Sequence, residues 1–147
     1  MYGTHLRTLD EKNRIAIPSS YREELGNIFY ISLSLDYVLE VRSAEEFDKI
    51  KSKIAQANSL NKTTRNFARF FFANTAQVSP DKQGRVLLPK NLLELSAIQN
   101  KELTLVGVGR KLEIWPKDRF DQLQSKFQDA NSIEELEKEL LEAGVEL

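Results

Sequence analysis

The chain repeats itself, and that constrains its fold more than any other feature of the sequence. Leu9-Asp10-Glu11-Lys12-Asn13-Arg14-Ile15-Ala16-Ile17-Pro18 returns as Pro80-Asp81-Lys82-Gln83-Gly84-Arg85-Val86-Leu87-Leu88-Pro89, an offset of 71 residues. Both copies read Asp-x-x-(Asn or Gly)-Arg, three aliphatic residues, then Pro. A second match sets Leu39-Glu40-Val41-Arg42 against Leu112-Glu113-Ile114-Trp115 at an offset of 73, and Phe47-Asp48 meets Phe120-Asp121 at the same offset. Three matches in order identify a tandem duplication of a unit of roughly 70 residues. The two-residue change of offset is a loop insertion.

Each unit parses alike. A short strand leads into the Asp-x-x-(Asn or Gly)-Arg turn, where Asp bonds the backbone two residues on and Asn or Gly tolerates left-handed dihedrals. The aliphatic triplets make a second strand, so the arginine is expected where a hairpin turn re-enters the sheet. Proline ends that strand, and short helices follow over Ser19 to Leu25 and Lys90 to Leu95. Paired strands come next, Ile28 to Leu33 with Val38 to Arg42, and Glu102 to Val106 with Lys111 to Trp115. Ser43-Ala44-Glu45-Glu46 has capping-box spacing before a helix with Phe47, Ile50 and Ile54 on one face. Phe120, Leu123 and Phe127 repeat that face. Asn61 to Phe72 reads as a connecting helix, its Phe67, Phe70 and Phe71 stripe serving as core or subunit contact. Ser132 and Glu135 are the expected cap of a last helix carrying Leu136, Leu140 and Leu141. The divisions are thus 1–60 for the first unit, 61–72 for the linking helix, 73–128 for the second unit and 129–147 for an acidic C-terminal helix.

Composition narrows the function. The chain has 147 residues, 41% of them hydrophobic, which suits a packed core. It has no cysteine and one histidine, His5, which excludes thiolate metal sites and Cys nucleophiles and argues against a Ser-His-Asp centre. No metal site or cofactor is expected. Gly107-Val108-Gly109 lacks the third glycine of a dinucleotide-binding fingerprint and reads as a hairpin turn. Ser19-Ser20 has no base nearby, and Glu23-Glu24 fall on exposed helical positions. The expectation is therefore a non-enzyme without a small-molecule substrate. No apolar run is long enough for a membrane span and the first residues lack signal-peptide layout, so a cytoplasmic protein without a membrane partner is expected. Net charge is −1, but residues 118–147 hold nine acidic and three basic side chains, leaving the first 117 residues at +5. A basic body can meet an anionic partner whatever the sum.

The doubled motif resembles the AbrB-like, or swapped-hairpin, superfamily. Two copies in one chain, with Gly3-Thr4-His5-Leu6-Arg7-Thr8-Leu9-Asp10 leading in, resemble the MraZ family of bacterial transcriptional regulators associated with the division and cell-wall gene cluster. The resemblance implies an α+β, mostly β fold: a small barrel of double-psi type built by two pseudo-symmetric units with interleaved hairpins and flanking helices. It also implies a nucleoid-associated regulator, acting as a repressor, that binds repeated boxes of double-stranded promoter DNA as a homo-oligomer, ring-shaped in the family. Arg14 and Arg85 are the expected readers of DNA, since a guanidinium at a turn can clamp phosphate or guanine bidentately. Lys12 and Lys82 suit phosphate contacts. Asp10, Asp81, Asn13 and Gly84 are expected to shape the turns. Arg7 and Arg22 correspond to basic positions used for DNA in the superfamily, and their counterparts at an offset of 71 are Val78 and Leu93. Because Arg7 and Arg22 align with the first turn, the expectation is that Arg14 matters more than Arg85. The other reading is an antitoxin-type module that holds a partner protein on the same barrel, with the acidic tail as bait. Such antitoxins usually carry one barrel unit and a long disordered tail, whereas this tail is short and helix-patterned.

Overall fold

A computed structural model describes residues 1–147. They form two compact units, Met1–Pro116 and Lys117–Leu147. The first opens with β1 (Thr4–Thr8), β2 (Arg14–Ala16) and α1 (Ser19–Leu25), then β3 (Phe29–Leu33), β4 (Leu39–Ser43) and α2 (Ala44–Gln56). After α3 (Lys62–Ala73) the series recurs as β5 (Thr75–Val78), β6 (Arg85–Leu87), α4 (Lys90–Leu95), β7 (Glu102–Gly107) and β8 (Leu112–Pro116). The second compact unit holds α5 (Lys117–Lys126) and α6 (Ala130–Glu142). No helix is long and apolar enough to cross a membrane.

The two repeats exchange strands. A six-stranded antiparallel sheet runs β1-β7-β8-β4-β3-β5, and β2 pairs with β6 in a separate two-stranded ribbon. Thus β1 of the first repeat pairs with β7 of the second, and β5 of the second pairs with β3 of the first. The order is unchanged when the repeats are interchanged, so a pseudo-twofold relates them. It passes between β4 and β8, where Glu40 faces Glu113, its own counterpart. Like charges directly opposed on a sheet repel. Cations offset that here: buried Glu40 accepts from Arg42 Nη2 at 2.7 Å and from Lys111 Nζ, which also lies 3.8 Å from Glu113.

Burial follows the strand period of two. Phe29, Ile31, Leu33, Leu39, Val41, Leu103, Leu105, Leu112 and Ile114 from the sheet join Ile15, Ile17, Val86 and Leu88 from the ribbon segments in one core. Each such side chain is worth about 1.5–3 kcal/mol when withdrawn from water, and both repeats contribute to this one cluster.

Three local expectations change. β1 and β2 do not form a hairpin in one sheet, because β2 finds its partner in the other repeat. Only half of the Ser43 capping box forms: its Oγ accepts from the Glu46 N–H at 3.2 Å, while the Glu46 carboxylate takes Lys49 Nζ instead. The last helix starts at Ala130, because Asp129, three residues before Ser132, accepts from the Asn131 N–H and caps it first.

Candidate nucleic-acid interface

The two repeated turns share one construction. In the first, Asp10 Oδ1 accepts from the Lys12 and Arg14 N–H groups, each at 2.8 Å, and Oδ2 accepts from Arg14 Nε at 2.9 Å. In the second, Asp81 Oδ1 accepts from the Gln83 and Arg85 N–H groups, each at 2.9 Å, and Oδ2 from Arg85 Nε at 3.1 Å. The Asp10 N–H donates to the Arg14 carbonyl and the Asn13 N–H to the Asp10 carbonyl, with the same bonds at Asp81, Arg85 and Gly84. The turn needs positive φ at its fourth position, where Asn13 lies at 61° and Gly84 at 76°. Asn and Gly are the residues for which that region costs least.

One carboxylate therefore fixes both the backbone and the side chain of its arginine. The backbone N–H of Arg14, then its guanidinium and the Lys12 N–H, outweigh partial desolvation and hold the Asp10 carboxyl below its ordinary 3.8. At Asp81 the Arg85 and Gln83 N–H groups and the Arg85 guanidinium have the same effect. With Nε spent on the carboxylate, the Nη1–Nη2 edge of each guanidinium remains to meet an outside acceptor.

The ribbon brings the two arginines to one face. Its register pairs Arg14 with Leu87, Ile15 with Val86 and Ala16 with Arg85. Ile15 and Val86 are fully buried, so alternation turns Arg14, Ala16, Arg85 and Leu87 outward together. The Arg14 and Arg85 side chains keep 29% and 31% of their surface, enough to touch a ligand while held in place. Arg85 Nη1 also lies 3.8 Å from Asp10 Oδ2, so the first turn's carboxylate faces both guanidiniums. Lys12 and Lys82 sit exposed within the two turns without an ion pair.

The other two candidate arginines, Arg7 and Arg22, gather at one end of this ribbon. Arg7 Nε donates to the Ala16 carbonyl at 3.2 Å, and Arg22 Nε donates to the Ile17 carbonyl at 3.0 Å. Ala16 pairs with Arg85, and the Ile17 N–H donates to the Gly84 carbonyl. The Arg22 guanidinium lies directly over Gly84: a Cβ there would stand 2.6 Å from its Cζ. Alignment along the chain set Arg7 and Arg22 beside Arg14. Antiparallel pairing between the repeats instead delivers them to Arg85, and the counterparts Val78 and Leu93 bring no cation to the Arg14 end. Two features went unread in the sequence: Leu87 faces outward, and Gly84 makes room for Arg22. The first could have been found by carrying the strand period through the aliphatic triplets, whose middle residues, Ala16 and Leu87, fall on the same side as the arginines.

Comparison with known proteins decides the family. The model described as "MraZ protein, putative antitoxin-like" matches twice, over residues 1–70 and 71–143. The chain belongs to the MraZ family. It is 55% identical over all 147 residues, and over the whole of the relative, to the transcriptional regulator MraZ of Mesomycoplasma hyopneumoniae strain 7448. It is 45% identical to that of Mycoplasmopsis pulmonis, covering 99% of this chain and 98% of the relative. The Clostridium acetobutylicum regulator of the same name is 42% identical over 94% of this chain and 96% of its own length. The two family matches divide the chain inside α3, so each takes in one Asp-anchored turn.

Proposed function

We propose that this chain is a transcription regulator that binds double-stranded promoter DNA through the outer face of the β2–β6 ribbon. The observation that carries the reading is the pair of arginines, each clamped by its own aspartate, side by side on that face. A two-stranded ribbon is narrow enough to enter the major groove. There the Nη edges of Arg14 and Arg85 suit the O6 and N7 acceptors of guanine, while Lys12, Lys82, Arg7 and Arg22 suit flanking phosphates. Asp10 and Asp81, with Asn13 and Gly84, hold the readers in position. The names of the relatives support regulation of transcription. The exchange of strands between repeats supports a swapped-hairpin barrel of AbrB type; the units of this reading are 1–60 and 73–128, with linking segment 61–72 and tail 129–147.

The fuller reading is a nucleoid-associated repressor of the division and cell-wall cluster promoter. One barrel covers few base pairs, so a homo-oligomer engaging repeated boxes would supply the affinity by linked binding. Footprinting on the chain's own upstream DNA, with mass measurement of the complex, tests this. Protection of spaced repeats by an oligomer is expected, and random protection, or none, contradicts it. An antitoxin-type role is the second reading, favoured by the wording of the family description. It requires a protein partner whose binding survives Arg14→Ala and Arg85→Ala, which the DNA reading does not.

A further inference from the structure

Leu87 is 57% exposed although it belongs to an aliphatic strand triplet whose other members, Val86 and Leu88, are almost completely buried. A large apolar side chain held out from a three-residue ribbon gains nothing for the core. Its neighbourhood gives it a use. Leu87 stands directly opposite Arg14, while its counterpart Ala16 stands opposite Arg85. The cross-ribbon backbone bonds Leu88 N–H to Asn13 carbonyl and Ile17 N–H to Gly84 carbonyl fall on alternate pairs. Arg14 with Leu87, and Ala16 with Arg85, are therefore the non-hydrogen-bonded pairs, whose side chains lie closest.

We infer that Leu87 is a specificity-determining residue that recognises the 5-methyl group of a thymine beside the base read by Arg14, and that Ala16 leaves the Arg85 end without this contact. The inference rests on the DNA reading proposed above. In the major groove a thymine differs from other bases by its methyl group, which only an apolar side chain rewards. An outward leucine beside a guanidinium whose Nη edge is free supplies both kinds of contact within one cross-strand pair. The pseudo-twofold then yields two half-surfaces of different content: arginine with leucine at one end, arginine with alanine and extra cations at the other. The sequence preference should accordingly be lopsided, with thymine demanded in only one half.

The test deletes the methyl group from either side. Titrations use the full chain with a duplex from its own upstream region, and with the same duplex carrying deoxyuridine for thymidine, which removes the methyl and leaves the hydrogen-bonding edge unchanged. Burying a methyl group changes affinity about 3- to 5-fold. Wild type should bind the uracil duplex weaker by at least that factor. Leu87→Ala should weaken binding to the thymine duplex similarly and bind both duplexes equally, and Ala16→Leu should increase the thymine preference. Leu87 is exposed, so circular dichroism of its alanine variant should match wild type. Equal wild-type affinity for the two duplexes overturns the inference while leaving the DNA reading intact, as does a Leu87→Ala variant that keeps the wild-type preference. A change in oligomeric mass with unaltered thymine preference also overturns it, and marks Leu87 as a subunit contact. If wild type binds neither duplex, the DNA reading fails and the inference with it.

Discussion

The Arg14 end of the ribbon and the Arg85 end begin from the same turn and finish as different surfaces. Both hold an arginine on an aspartate with nearly superimposable bonds. At the Arg14 end the turn residue is Asn13 and the neighbour across the ribbon is Leu87. At the Arg85 end the turn residue is Gly84, because the Arg22 guanidinium occupies the space a side chain would need. Asn13 has Leu93, not an arginine, as the counterpart of that neighbour, and so can carry a side chain. The difference teaches that a duplication can keep its scaffold while the surfaces of its halves diverge, one richer in positive charge and the other in apolar surface.

Loss of the arginines should have the largest effect. Arg14→Ala and Arg85→Ala should each cost about 1–3 kcal/mol per base contact on cognate DNA, with unchanged circular dichroism, and titration of each variant measures this. With Arg7 and Arg22 gathered at its end, Arg85→Ala should be at least as damaging as Arg14→Ala. An Arg14 variant clearly worse than its partner would restore the order suggested by chain alignment.

Double-mutant cycles sharpen the point. Arg22→Ala should couple to Arg85→Ala by 0.5 kcal/mol or more, and add to Arg14→Ala within about 0.3 kcal/mol. Next in size is Gly84→Asn. It keeps a residue tolerant of positive φ, so thermal unfolding should shift by less than about 1 kcal/mol. It should nonetheless displace Arg22 and weaken DNA binding several-fold, whereas Asn13→Gly should leave binding unchanged. Lys12→Ala and Lys82→Ala should weaken cognate and scrambled DNA alike, with the salt slope shallower by about 0.9 for each phosphate lost.

The smallest effect concerns acid. Both aspartates are held below the ordinary 3.8 in the folded chain, by backbone N–H groups before all else. Their contribution to stability is thus complete above that value and lost only as pH falls through the lower folded values. Carboxyl NMR titration should place both midpoints below 3.8, and a midpoint at or above it would deny the clamp.

Much of this was legible from residues. Ser19–Leu25 and Lys90–Leu95 are helical over the expected spans, since Pro18 and Pro89 stop the strands before them. The turn chemistry of Asp10 and Asp81 is likewise local, and spacing alone reveals it. The pairing of β2 with β6 and the position of Arg22 over Gly84 were not legible. Both join residues more than sixty positions apart, and an alignment of one repeat on the other compares them without showing which repeat completes which. Leu87 was missed for a different reason: an aliphatic triplet reads as buried until the strand period is applied within it.

In the proposed function, two aspartate-clamped arginines read guanines from one face. This is tested most directly by replacing single guanines of the bound fragment with 7-deazaguanine, which removes the N7 acceptor from the major groove. One such position should weaken wild-type binding by about 1–3 kcal/mol and leave Arg14→Ala indifferent, and a second position should do the same with Arg85→Ala. Wild-type binding that ignores every substitution, or variants that lose as much as wild type at all of them, would contradict the account.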